Sequence, residues 1–258
     1  MKLICLNAWG GRVFGPLLDF IKTSAATTDI FCFQEIFTSS GLHKLSNGMR
    51  SNLYGEIETA LPDFKGAFSA QCDRYDYVSS VNFDLSSGQA TFVKNTAEIK
   101  KSGEIFTYKN KNEVAKDDKD GDNVFPENMQ FVEISYKGSS YIICNVHGIP
   151  TWPKVDNPER IRQSEIILDF LKKSSPTKKI LCGDFNLSPE TLSVGMIEKV
   201  LVNVTKNYGI KYTRSPLLLG EGDTVSDYIF VSQNVVVSNL KTLNIEVSDH
   251  LPLVLEFI

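Results

Sequence analysis

Nowhere in the 258 residues is there an apolar run of the roughly 18–20 residues that a membrane span requires, so no transmembrane segment is expected. No Pro-, Gly- or Ser-rich stretch marks a linker, and the length suffices for one sizeable core; residues 1–258 are read as a single domain. Positive charge is not in excess. The 27 Lys and Arg against 31 Asp and Glu leave a net charge of −4, which argues against extensive wrapping of nucleic acid, although a basic patch can sit on an acidic protein. Cys5, Cys32, Cys72, Cys144 and Cys182 are odd in number and lack the close pairing that zinc sites need. Most of them sit inside apolar runs, as small core hydrophobes do in a reducing compartment. The opening MKLICLNAWGG has one lysine and only a short apolar run before Asn7, too little for a signal peptide, so a soluble, cytoplasmic protein is expected. No protein partner is predicted.

What is present is a recurrent alternation of two patterns. Short apolar runs rich in β-branched and aromatic residues, KLICLN, DIFCFQE, QATFVK, MQFVEI, YIICNVH, KILCGDF, SDYIFVS, VVVSNLK and LPLVLEF, read as strands. Several lack polar alternation, as strands do when both faces of a sheet are covered or sheets stack. Helical patterns fall at Pro16 to Ser24, Gly48 to Leu61, Pro158 to Lys173 and Ser188 to Val202. In the third, Asn157 is placed as N-cap, Pro158 at the first helical position and Glu159 at the positive dipole end, with Ile161, Ile166, Leu168, Phe170 and Leu171 as its apolar face. Strands interleaved with helices predict an α/β fold. FCFQE and LCGDFN each put an acid after a cysteine-containing strand, which suggests two equivalent halves.

The segment from Lys116 to Glu127 sets Asp118, Asp120, Gly121 and Glu127 at offsets of a calcium loop, but Lys116 holds the first ligand position and neither flank is helical. A solvated surface loop is predicted there.

Three polar clusters stand where buried strands should stop: FQE at Phe33 to Glu35, GDFN at Gly183 to Asn186 and SDH at Ser248 to His250. Phosphoester cleavage needs a hard cation to neutralise phosphate charge, held by one or two carboxylates. Glu35 and Asp249 fit that need. In GDFN, Gly183 permits close backbone approach, while Asp184 and Asn186 point the same way in an extended segment and could position water and a phosphate oxygen. The chain has three histidines. His147 in NVHG and His250 in SDH adjoin apolar strands and suit proton transfer or phosphate contact, whereas His43 lies in a polar stretch and is read as structural.

The ordered set LNxWGG, FQE, NVHG, GDFN, SDYIF and SDH resembles the endonuclease/exonuclease/phosphatase superfamily, from Asn7 to His250. The resemblance implies a four-layer α/β sandwich, two stacked mixed sheets with flanking helices as in deoxyribonuclease I, and dependence on Mg2+ or Mn2+. It also implies site roles. Asn7 matches the first-strand amide near the metal, Glu35 the principal metal-binding glutamate and Asp249 a second metal-site carboxylate. Asp184 and Asn186 match the pair that orients water and phosphate. Asp227 in SDYIF matches the carboxylate that fixes the tautomer of His250, and His147 the histidine that contacts phosphate or protonates the leaving oxygen.

The activity implied is metal-dependent hydrolysis of a phosphoester by in-line water attack, with His250 or Asp184 taking the proton and His147 assisting departure. A small-molecule or headgroup phosphoester is favoured over DNA or RNA by the acidic balance; a non-catalytic binding protein on the same scaffold is the further alternative. Apurinic endonuclease relatives carry an acid where Trp9 stands and a tyrosine where His147 stands, which weighs against abasic DNA as substrate. Trp9 and Arg12 are candidates to line a substrate cleft by stacking and charge, with burial of Trp9 in the core as the alternative. The glutamate that partners the phosphate histidine in deoxyribonuclease I relatives has no clear counterpart, Asp84 being a poor one.

Overall fold

The computed structural model describes residues 1–116, 123–215 and 225–258. In chain order the first half holds β1 (Lys2–Asn7), a 3-10 turn at Trp9–Gly11, α1 (Phe14–Ala25), β2 (Ile30–Thr38), α2 (Leu53–Ala60), β3 (Phe64–Asp73), β4 (Ser86–Lys94) and β5 (Glu98–Tyr108). The short strands β6 (Ala115–Lys116) and β7 (Asn123–Val124) pair only with each other. Then come β8 (Glu127–Tyr136), β9 (Ser139–His147), α3 (Pro158–Lys173), β10 (Lys178–Asp184), α4 (Leu192–Glu198), β11 (Val202–Asn203), α5 (Val204–Asn207), β12 (Asp227–Val231), β13 (Val237–Thr242) and β14 (Leu253–Phe257).

Two six-stranded mixed sheets result, in the orders β13-β14-β1-β2-β4-β3 and β11-β12-β10-β9-β8-β5. Their central strands are apolar on both faces because each face is covered. Along β1, Leu3 and Cys5 meet Val132, Ile143, Ile180 and Cys182 of the other sheet, while Ile4 and Leu6 face outward to Leu17 and Ile21 of α1 and Leu53 and Ile57 of α2. The outer face of the second sheet, with Ile142, Cys144, Leu181 and Phe230, is covered by Ile167 and Leu171 of α3 and Val194 and Ile197 of α4. This is the helix–sheet–sheet–helix sandwich. All five cysteines are free and buried, as core residues.

The order β14-β1-β2-β4 repeats as β8-β9-β10-β12, with a parallel central pair flanked by antiparallel strands in both. In each half a helix, α1 or α3, joins the parallel pair. The FCFQE and GDFN segments occupy matching places, on β2 and at the end of β10.

Of the strands not expected, the short β6, β7 and β11 span two residues each, and the long ones are β3 and β5. Both are edge strands, and their mixed burial and the exposed Lys100 and Lys101 give them a polar pattern that resembles a loop. Helix α2 starts only at Leu53 because the Asn52 side chain accepts the Gly55 N–H, and α4 starts only at Leu192, where the Thr191 side chain accepts the Val194 N–H, and ends at Glu198. Helix α3 has the expected bounds and the Asn157 cap, but its buried face runs through Arg160, Gln163, Ser164, Ile167 and Leu171. Ile161, Ile166, Leu168 and Phe170 are only half-buried. Among the described residues no helix is long and apolar enough to cross a membrane.

Candidate active site

The parallel pairs β1–β2 and β9–β10 and the antiparallel β12 and β14 bring six chain segments to one end of the sandwich. Asn7, His147 and Asp184 are the last residues of β1, β9 and β10; Asp227 is the first of β12, and His250 precedes β14. Glu35 reaches the same place by a β-bulge. In the pairing of β2 with β4 the register slips between Phe33 and Ile36, and Glu35 takes φ = 55°, a left-handed conformation that re-aims its side chain. On β10, Gly183 has φ = 142°, and a Cβ there would lie 1.9 Å from the Val146 carbonyl oxygen. Only glycine lets β9 and β10 approach this closely next to Asp184.

Asn7 Nδ2 donates to Glu35 Oε1 (2.9 Å) and to Asp184 Oδ2 (3.3 Å). The same Asp184 oxygen stands 3.4 Å from His250 Nε2 and 3.9 Å from His147 Nε2, while Glu35 Oε1 is 3.7 Å from His147 Nε2. Asn186, at φ = 52°, donates its backbone N–H to Asp184 Oδ1 (2.9 Å) and its Nδ2 to the Gly148 carbonyl (3.2 Å), which leaves its amide 3.5 Å from His147 Nε2. Side chains from both ends of the chain thus converge on one point.

Each histidine has a carboxylate behind it. His250 Nδ1 faces both oxygens of Asp227 (3.0 and 2.9 Å), and Asp227 also accepts from Thr213 Oγ1 (2.6 Å) and Ser226 Oγ (3.1 Å). His147 Nδ1 faces Glu127 Oε2 at 3.0 Å. Glu127 thus stands behind His147, where the motifs located no carboxylate. Asp84 instead accepts the Ser40 N–H and the Ser39 hydroxyl. Glu127 is buried against His147 and so is not a ligand of a calcium loop; residues 117–122 of that segment, with Asp118, Asp120 and Gly121, lie outside the described residues.

These contacts set the charge states. Burial opposes a charge on His147, but Glu127 in contact, with Glu35 and Asp184 nearby, outweighs it and raises the imidazole to about 10. Burial lifts the Glu127 carboxyl to about 7 against the pull of His147. Burial likewise opposes a charge on Asp184, yet His250, Lys154, His147 and Arg214 together hold it well below the usual carboxylate range. His250 is raised, with Asp227 and Asp184 prevailing over burial.

Three further residues join the site without a sequence motif. Arg214 Nη2 donates to Asp249 Oδ2 (2.8 Å), and Nη1 contacts His250 Nε2. Thr213 braces Asp227. Lys154 places a buried ammonium that, among the described residues, has no hydrogen-bond partner. Asp249 is thus tied to Arg214 and, through its other oxygen, to Ser248 Oγ (3.2 Å). Trp9 and Arg12 are one step removed. The Trp9 N–H donates to Asn7 Oδ1 (3.0 Å), its half-buried ring packs on the cluster of Phe37, Leu45, Met49 and Leu85, and the exposed Arg12 guanidinium stacks over that ring at 4.8 Å. His43, read as structural, stacks on Phe83 with ring centres 3.9 Å apart.

A sequence profile described as the Endonuclease/Exonuclease/phosphatase family matches residues 4–250. The chain belongs to this family. Its members are phosphoester hydrolases that generally use a divalent metal. Solved structures share the fold along the whole chain. An endonuclease/exonuclease/phosphatase from Bacteroides vulgatus superposes with a TM-score of 0.71 at 16% identity, covering 100% of this chain and 98% of its own. A mannosyl-6-phosphatase from Bacteroides thetaiotaomicron gives 0.70 at 16%, covering 100% and 99%. D. rerio TDP2 complexed with a single-strand DNA product gives 0.66 at 14%, covering 100% and 98%. At such identities the likeness concerns the fold. No curated protein matches the chain.

Proposed function

We propose that this protein hydrolyses a small phosphoester by in-line attack of water, assisted by Mg2+ or Mn2+. The observation that carries this reading is the sharing of Asp184 Oδ2 by Asn7 and the two histidines, with Glu35 on the other side of Asn7.

The donor set fits a hard divalent ion at Glu35. Its carboxylate side chain is 19% exposed while Asp184 and His250 are each 1% exposed, so Glu35 is the oxygen ligand open to an arriving ion, with the Asn7 amide beside it. Asp184, Asp227 and His250 also offer atoms within 4.8 Å of one another, but the Asp227 oxygens are engaged by His250, Thr213 and Ser226. That trio is better suited to orienting the histidine than to coordination. An ion held at Glu35 would neutralise phosphate charge and polarise the phosphorus–oxygen bonds.

The remaining work falls to side chains. Asp227 holds the proton of His250 on Nδ1, so that the Nε2 lone pair, which Arg214 Nη1 contacts in this structure, would take a proton from water in place of that contact as the water oxygen bonds to phosphorus. Asp184, held so strongly acidic, is the poorer base and serves to orient the water with Asn186. His147, protonated at neutral pH through Glu127, gives its Nε2 proton to the leaving oxygen as the phosphorus–oxygen bond breaks. The net charge of −4 favours a small substrate over a long polyanion.

The test is a metal-supplemented screen of phosphomonoesters, choline phosphodiesters, nucleotides, phosphoinositides and nucleic acids beside Glu35→Gln. Cleavage that needs both metal and Glu35 is expected. Absence of any such cleavage, including that of bis(p-nitrophenyl) phosphate, would leave a binding protein on this scaffold.

A further inference from the structure

The loop that follows His147 carries a charge that the reaction above does not use. Lys154 lies in the segment between β9 and α3, and its Nζ is shut off from solvent with no hydrogen-bond partner among the described residues. An ammonium is strongly hydrated, and removing its water without supplying acceptors is costly. The loop is built to hold it there. The Arg160 guanidinium, 1% exposed, donates to the carbonyls of Pro153 (2.8 Å), Val155 (2.5 Å), Ile149 (3.0 Å) and Thr151 (2.5 Å). From the other side Ser188 N–H donates to the Lys154 carbonyl at 2.9 Å, which ties this residue to the loop just after Asn186. Lys154 acts electrostatically on Asp184, as do His250, His147 and Arg214. Yet Asp184 is already committed: Oδ1 takes the Asn186 N–H, and Oδ2 takes Asn7 with both histidines nearby. The ammonium is held in a loop tied to the segment just after Asn186 and, among the described residues, has no hydrogen-bonding anion of its own.

We propose that Lys154 is a phosphate-binding residue of this site, its ammonium donating to a non-bridging oxygen of the bound phosphoryl group. This rests on the phosphoester reading for the identity of the anion. A pre-placed lysine that has already shed its water offers its ammonium to such an oxygen without a further desolvation cost, and Arg160 is the positioning residue that keeps the loop rigid.

Inorganic phosphate, the shared fragment of all candidate products, is the probe. Its affinity for the full chain is measured by titration calorimetry with Mg2+ present, for wild type, Lys154→Met, Lys154→Gln and Lys154→Arg, each checked for folding by circular dichroism. We expect the neutral variants to bind phosphate about tenfold or more weakly and Lys154→Arg to stay within about threefold of wild type. A neutral variant that folds and binds within twofold of wild type, or a wild type that binds no phosphate, overturns the proposal. Should Lys154→Met not fold, Lys154→Gln against Lys154→Arg decides the same question. The two readings fail separately. Lys154-dependent phosphate binding without any ester cleavage removes the hydrolase and keeps the subsite, whereas Glu35-dependent cleavage with phosphate affinity indifferent to Lys154 does the reverse.

Discussion

Glu127 and His147, twenty residues apart, meet at 3.0 Å where β8 begins and β9 ends, because the two strands run antiparallel. This contact favours the charged form of His147 in metal-free protein.

In metal-free protein, NMR titration of the His147 ring should show a proton held up to about pH 10, and Glu127→Gln should lower that value toward the ordinary imidazole range near 6.5. The sign follows from linkage. A histidine raised in the folded state adds stability that is fully present below 6.5 and is lost as pH climbs through about 10. The stability gap between wild type and Glu127→Gln should therefore narrow in that window. Under metal-supplemented turnover Glu127→Gln should be slower by roughly 10- to 100-fold, since general acid catalysis contributes about that much or more. A His147 pKa unchanged by the substitution would show that Glu127 is not its charge partner.

Asp227→Asn separates orientation from structure. An amide facing His250 Nδ1 can donate a proton there, which moves the imidazole hydrogen to Nε2 and removes the lone pair that faces Asp184. Turnover should fall on the order of 10²–10⁴-fold, by analogy with tautomer-reversing substitutions in other histidine–aspartate pairs, while circular dichroism stays native. His250→Ala should give a comparable loss, and near-normal turnover in either variant would reject His250 as the base.

How much of this was legible without coordinates follows from where each residue lies. Central strands such as KLICLN and KILCGD announce themselves because covering both faces demands continuous apolar sequence. The edge strands β3 and β5 do not, since an edge in water tolerates lysine and glycine as a loop does. Strand β2 runs on to Thr38 and presents Glu35 from a bulge in its interior, whereas Asn7, His147, Asp184, Asn186, Asp227 and His250 were readable because each sits at or beside the end of an apolar strand. Glu127 has the same placement, at the start of ENMQFVEI, but the acidic run before it made it resemble the end of a loop. Arg214 and Lys154 come from segments with no periodic pattern, and only the fold brings them in. Asp249, which the family resemblance matches to a second metal-site carboxylate, accepts from Arg214 in the structure.

Gly183→Ala tests the backbone that presents Asp184. A Cβ at this residue would sit 1.9 Å from the Val146 carbonyl oxygen, where the neighbour is backbone and cannot swing aside, and φ = 142° is a region that alanine avoids. Relief requires β9 and β10 to separate where His147 faces Asp184 in register. Loss of stability of about 3 kcal/mol or more is expected from the clash and the strain together, read as a lower urea midpoint with an unchanged slope. Activity should fall further than stability alone explains at temperatures where the variant is folded, because a shift of about 1 Å in a catalytic group can cost on the order of 10²-fold. A variant as stable and active as wild type would mean that the strands can part at no cost, and that the glycine of GDFN is not what sets the spacing of the site.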